Sequence, residues 1–300
     1  MSFRACTGLL IGVGLYLWFF SWHDVPYREA LVLNGPGKLS GGAPASMDLP
    51  GVTETVSTGG GVASAGPPDV GKLQNIDERF TFDVRYGFLR LGNVEVYMRR
   101  DTVYRDTEVV HLVAEMVSNR RIPLVGYREV HYHSYIAFND SIPYGVKYWQ
   151  DSIHREKKKQ FLYDFDYPSG KVYSFEEGNP VDTLELTQPA DGGPAVMFYS
   201  RLFAGTDSDK RYPLFIDHEQ KEIEMNFTSQ QEAYDSPAFP DEEIQAFKMS
   251  GNADFEGPFG FSGNFTAYFK DDELRIPLEA RVNIWLGSVR VRLIEYEVNK

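Results

Sequence analysis

Cysteine is nearly absent from this chain. The one that occurs, Cys6, lies at the start of an apolar segment. An intrachain disulfide is therefore excluded, and the rest of the chain offers no thiolate to a metal or a substrate. A lipid-modified cysteine has to follow the apolar run of its leader; Cys6 precedes it, so a lipoprotein reading fails on geometry. Positive charge is also scarce. Thirty Lys and Arg stand against 43 Asp and Glu, a net of -13, and nearly all of the excess lies beyond residue 74. A field of that sign repels phosphate backbones and argues against a nucleic-acid partner. It also argues against docking of the domain on anionic lipid head groups. Catalytic signatures are missing as well. The chain has no Gly-x-Ser-x-Gly elbow, and Gly59-Gly60-Gly61 lacks the Lys-Ser/Thr and the helix of a phosphate loop. Acidic pairs such as Glu176-Glu177 and Glu242-Glu243 discriminate nothing in a chain this acidic.

What is present divides into three parts. Residues 1–33 hold a hydrophobic targeting segment. Arg4 supplies a small positive region, and Ala5–Trp22 is uncharged, at the lower limit of a membrane-spanning helix (roughly 18–20 residues). Phe19–Asp24 lacks the small residues of a cleavage site, and Trp18 and Trp22 suit an interface. The segment fits an uncleaved signal anchor better than a cleaved signal peptide. The positive end then stays cytoplasmic and the rest is exported, which implies a cell-envelope protein with a periplasmic domain held at the inner membrane; cleavage would instead release it to the periplasm. Residues 34–74 are rich in Gly, Pro, Ser and Ala, and bury too little apolar surface to offset their ordering entropy. They read as a disordered linker. Residues 75–300 are long enough to bury a core without staples.

In that last part the apolar period is two. Phe80, Phe82, Val84 and Tyr86 alternate with polar partners, and the pattern returns over 93–101, 108–118, 128–139, 145–153, 160–167, 171–176 and 221–229. Near the end Phe259, Phe261, Phe265 and Phe269 share a face. Ile276, Leu278, Ala280, Val282 and Ile284 then oppose Glu279, Arg281 and Asn283, and Val289, Val291 and Leu293 follow. Alternation with one wet face predicts antiparallel sheet. Many such strands predict a mostly β domain, a curved sheet or partly open β-barrel, with one or two short helices. One helix is expected over Ala195–Ala204, between Pro194 and Gly205, to lie over the sheet or plug a barrel end. A second is expected over Pro240–Phe247.

Candidate chemistry is sparse. Glu129, His131 and His133 alternate along one strand and so share a face. Two histidines and a carboxylate are a possible zinc set, but the same spacing occurs readily on wet strand faces, and no metal is assigned. His111, His154 and His218 read as ordinary half-buried or surface residues. Arg155–Lys159 reads as a solvated loop or strand end. No catalytic residue and no cofactor are assigned.

The C-terminal strands carry a resemblance. Residues 264–282, then Trp285-Leu-Gly-Ser-Val-Arg-Val-Arg-Leu-Ile-Glu-Tyr296, resemble the end of the DUF3108 family, exported bacterial proteins of unknown function. The matching motif residues are Asp271, Asp272, Arg275, Pro277, Gly287, Ser288 and Tyr296. Phe80–Gly92 is similar to the family's opening and Tyr199-Ser-Arg201 to its central helix, and Phe269-Lys270 departs from its pattern. By their chemistry Asp271 and Asp272 form a turn, Arg275 pairs with Asp271 as an exposed ion pair worth about 0–1 kcal/mol, Pro277 starts a strand and Gly287 supports a turn. The resemblance implies export, one β-rich domain, and a barrel similar to the lipoprotein-carrier proteins of the bacterial envelope. Fold alone does not set function. A binder or carrier of a hydrophobic small molecule or lipid is the first expectation. A tethered assembly protein acting through envelope proteins is the second, and a glycan-acting enzyme the third. The membrane is met through the N-terminal segment only.

Overall fold

A computed structural model describes residues 66–121, 127–139, 142–154, 157–255, 263–284 and 287–299. The expected anchor and most of the expected linker lie outside these residues, as do Phe259, Phe261 and Trp285. Among the described residues fourteen strands form one antiparallel sheet. They are β1 (Asp77–Tyr86), β2 (Leu89–Tyr104), β3 (Thr107–Ser118), β4 (Arg128–Phe138), β5 (Pro143–His154), β6 (Lys157–Asp166), β7 (Lys171–Glu176), β8 (Asn179–Glu185), β9 (Ser208–Ile216), β10 (Glu219–Tyr234), β11 (Ile244–Ala253), β12 (Gly263–Lys270), β13 (Pro277–Ile284) and β14 (Gly287–Asn299). Two short helices accompany them, α1 (Val70–Asn75) and α2 (Val196–Arg201).

The expected β-rich fold is what forms. The chain meanders through β1–β8 and again through β9–β14, and β1 joins the two runs by pairing with β14. The sheet is an open barrel whose edges are β8 and β9. Residues 190–191 lie across part of the gap. Gly145 N–H donates to the Ala190 carbonyl at 2.8 Å, and Phe215 N–H to the Asp191 carbonyl at 2.9 Å. Gly145 is needed at this seam, because a Cβ there would lie 2.4 Å from Asp191 Oδ1.

Alternation explains the strands. Phe80, Phe82 and Val84 of β1 are buried and point inward with Val289, Val291 and Leu293 of β14, while Arg85 and Arg290 stay outside. Two stretches differ from expectation, and two strands were not expected. Pro240–Phe247 does not form a helix; Ile244, Ala246 and Met249 are buried by strand β11, whose ladder to β12 outweighs local propensity. Strands β8 and β9 carry no clean alternation. β8 is exposed on both faces, and β9 runs from charged residues into a continuous buried stretch. The linker is also shorter than its composition suggests. Asp69 caps α1 by accepting from Lys72 N–H at 2.6 Å, and Leu73 is buried.

Helix α2 sits in the β8–β9 connection and plugs one end of the barrel, as expected, although it is shorter than expected. Asp191 organises its start by accepting from Gly193 and Ala195 N–H, both at 2.9 Å, and from Ser134 Oγ at 3.0 Å. Gly205, past its end, takes φ +87°, which favours glycine. The plug is held by charge. Arg201 and Glu78 are both fully buried. Arg201 Nη1 and Nη2 donate to the two Glu78 oxygens at 2.7 and 3.0 Å, Tyr296 Oη donates to Oε1 at 2.6 Å, and Arg201 Nε donates to the Leu274 carbonyl at 2.8 Å.

Removing one member strands the other in the interior. Arg201→Met is expected to lower unfolding free energy by about 3–5 kcal/mol, read by chemical denaturation. A loss under about 1 kcal/mol would show that the pair does not hold the plug.

Candidate functional site

The inward side chains do not fill the barrel. A cavity of about 350 Å³ lies among β1–β3, the start of β4, β9–β14 and α2. Its wall includes Phe82, Leu112, Ala114, Phe265, Ala267 and Val291, and Val196, Met197 and Ser200 of α2 form its floor. It runs the length of these strands, to Leu91, Ser118, Phe255 and Gly263 near the opposite end. Small residues at facing inward positions leave the room: Ala114 on β3, Ala267 on β12 and Ala280 on β13. The other half of the sheet is filled. Tyr148, Tyr163 and Phe165 pack there ring against ring, joined by Phe215 from β9 across the seam.

Polar groups are rare on the cavity wall. Arg128 and Glu279 are its charged residues among the described ones. The Glu279 carboxylate is occupied away from the cavity, where it accepts from Tyr234 Oη at 2.8 Å and is bridged by Arg281. The arrangement suits an apolar guest held by shape and burial rather than by directed hydrogen bonds.

The histidine face of β4 points out of the barrel. Glu129 and His131 do meet, with His131 Nε2 2.9 Å from Glu129 Oε1. His133 turns to a residue that sequence reading set aside: its Nδ1 is 3.1 Å from His111 Nε2 on β3. The His133 ring stacks on Trp149 at 4.6 Å, Tyr135 meets Trp149 edge-on at 5.0 Å, and Asp151 Oδ2 is 3.7 Å from His133 Nε2. Among the described residues no group of three or more His, Cys, Asp or Glu side chains is placed to hold a metal ion. His111 carried no local signal because its partner is one strand away, which periodicity along a single strand does not show.

The motif residues at the C-terminal end are structural, and one differs from expectation. Arg275 is buried rather than exposed. Its Nη1 donates to Asp271 Oδ1 at 2.9 Å and its Nε to the Ala204 carbonyl at 3.0 Å, and it lies over the Phe247 ring at 4.5 Å. It thus ties the β12–β13 turn to the residues after α2. Burial pulls its pKa down, and Asp271 opposes that. Asp272 behaves as expected of a turn residue, accepting from Leu274 N–H at 3.0 Å. Pro277 begins β13, Gly287 begins β14, and Ser288 pairs with Asn283.

The model of the family described as "Protein of unknown function (DUF3108)" matches residues 81–294. The chain belongs to this family. Among solved structures this DUF3108 chain is similar to the crystal structure of a β-barrel-like protein of a domain of unknown function, DUF1849, from Brucella abortus. Identity is 13% and the TM-score 0.47, over 75% of this chain and 98% of that one. No curated protein matches the chain.

The His111–His133 pair makes a pH prediction. Both pKa values are lowered to about 4 from the ordinary 6.5, by burial first of all; His133 and then Arg99 add to it at His111, and His131 and Arg99 add to it at His133, where Asp151 opposes. The unfolded chain takes up these protons near pH 6.5, the folded chain only near 4. The stability they contribute is therefore complete above about pH 6.5 and lost as pH falls toward 4. Thermal midpoints should drop across that window, and His111→Phe/His133→Phe should flatten the drop. Parallel profiles for the two proteins would assign it elsewhere.

Proposed function

We propose that this DUF3108 protein binds an apolar or lipid-like molecule inside its barrel and acts as a carrier or holder of it in the bacterial cell envelope. The observation that carries the reading is the cavity of about 350 Å³, walled by apolar side chains from nine strands and floored by α2. Its volume falls within the range of small-molecule sites, roughly 300–1,000 Å³. An apolar void of this size gains little from water, which needs two to four polar partners to enter. A guest with an aliphatic or aromatic body gains the full benefit of leaving water, about 25 cal/mol per Å² of apolar surface buried. The envelope setting rests on the N-terminal segment, which fits an anchor or export signal.

N-phenyl-1-naphthylamine, an apolar dye that brightens on leaving water, tests the site. The full chain should bind it saturably. Ala267→Phe/Ala280→Phe, which fills the cavity from two neighbouring strands, should weaken binding at least tenfold while leaving the thermal midpoint unchanged or higher. Undiminished binding by a folded variant, or no saturable binding by the native chain, would remove the reading. Native mass spectrometry of the purified chain supplies the second readout, an adduct of lipid mass that the filled variant lacks.

A further inference from the structure

The chain is acidic as a whole, yet one outer face is not. Arg90 of β2 stands opposite Arg85 of β1, Arg85 opposite Arg290 of β14, and Arg290 opposite Arg281 of β13. Four arginines thus form one row across four neighbouring strands, about 14 Å long at the usual strand spacing. The row continues into uncharged Thr266 and Ser250 on β12 and β11. Arg292 lies two residues further along β14. Like charges directly opposite one another destabilise a sheet. Two carboxylates offset this row from beneath. Asp83 is bridged by Arg85 and Arg90; Glu279 is bridged by Arg281, with Arg290 and Arg292 at 3.5 and 3.6 Å. Both carboxylates are sunk, with side chains 8% and 1% exposed, whereas Arg85, Arg90 and Arg290 are about half exposed. A third carboxylate, the exposed Asp235, pairs with Arg292 at 3.3 Å, so five guanidinium groups stand against three carboxylates and the four-arginine row keeps an outward excess of positive charge.

The second observation is apolar. The β1–β2 hairpin that carries Arg85 and Arg90 reads Arg85-Tyr-Gly-Phe-Leu-Arg90. Phe88 at its tip is 88% exposed and Leu89 37%. An exposed aromatic between two arginines pairs an inserting ring with head-group binders, the combination that suits a bilayer interface.

We propose that this hairpin and the arginine row dock the domain on a membrane surface rich in anionic lipid. The net charge of the chain argues the other way, but at physiological salt fields beyond roughly 8 Å are screened, so a flat contact feels the local face. The proposal does not require the cavity to hold a ligand.

The test uses the full chain in nanodiscs, so that the N-terminal segment is the same in each arm. Hydrogen exchange at Tyr86–Leu89 is compared in phosphatidylglycerol and phosphatidylcholine discs. The expected result is slowed exchange in phosphatidylglycerol alone, reversed by raising salt to about 0.5 M. Phe88→Ser, at a position too exposed to affect folding, should abolish the slowing. Arg85→Gln/Arg290→Gln should weaken it, by roughly fivefold per arginine. Equal exchange in both lipids, or slowing that survives both variants in folded protein, would overturn the proposal. Slowing by an added acidic protein but not by the lipid would reassign the face to a protein partner and overturn it equally.

Discussion

A guanidinium and a carboxylate meet in this molecule where water does not reach, and the architecture is arranged around their contact. Glu78 belongs to β1, the strand that joins the two halves of the sheet; Arg201 belongs to α2, the helix between the sheet's two edges. Two charges out of water are costly, and only the bidentate geometry with every remaining site occupied offsets that cost. Tyr296 takes up Glu78 Oε1 from β14, and the Leu274 carbonyl takes up Arg201 Nε from the β12–β13 turn. A second arginine, Arg275, repeats the device between that turn and the Ala204 carbonyl. One end of an open barrel is thereby fastened without closing its hydrogen-bond ladder.

That fastening fits a barrel with a cavity at its centre. A sheet whose edges were free to slide would collapse onto its apolar face, because burying that face is the main gain of folding. With α2 pinned at the plugged end, the strands β1–β3 and β9–β14 are held apart, and alanines at facing positions leave a void rather than a packed core. The remaining strands follow the other course: their inward tyrosines and phenylalanines fill the space. One sheet therefore makes a solid core on one side and a vessel on the other.

Charge is divided in a similar way. A net of -13 is a property of the whole chain, while the register of four strands collects arginines on a single face. Arg85 and Arg90 are five residues apart, but Arg281 and Arg290 reach them only through the pairing of the chain's beginning with its end.

Much of the fold was legible in the sequence. Alternating strands with one wet face gave β1–β7, β10 and the C-terminal strands, because burial on one side imposes period two. Pro194 and Gly205 marked α2, and the C-terminal motif marked the family. Strands β8 and β9 were not legible, since neither has one wet and one dry face, and the helix expected over Pro240–Phe247 overlaps the start of β11 because those residues tolerate both states. His131 with Glu129 followed from spacing along one strand; His133 with His111, Arg201 with Glu78 and the arginine row did not, because each joins residues far apart in the chain. What the sequence by itself determined about this protein is therefore whatever has a local period: its strands, its wet faces, its hydrophobic start and its family. Only the tertiary structure decided which strands border the cavity, which arginine is buried, and which charges share a face. Those depend on register between distant segments, and register is a property of the assembled sheet.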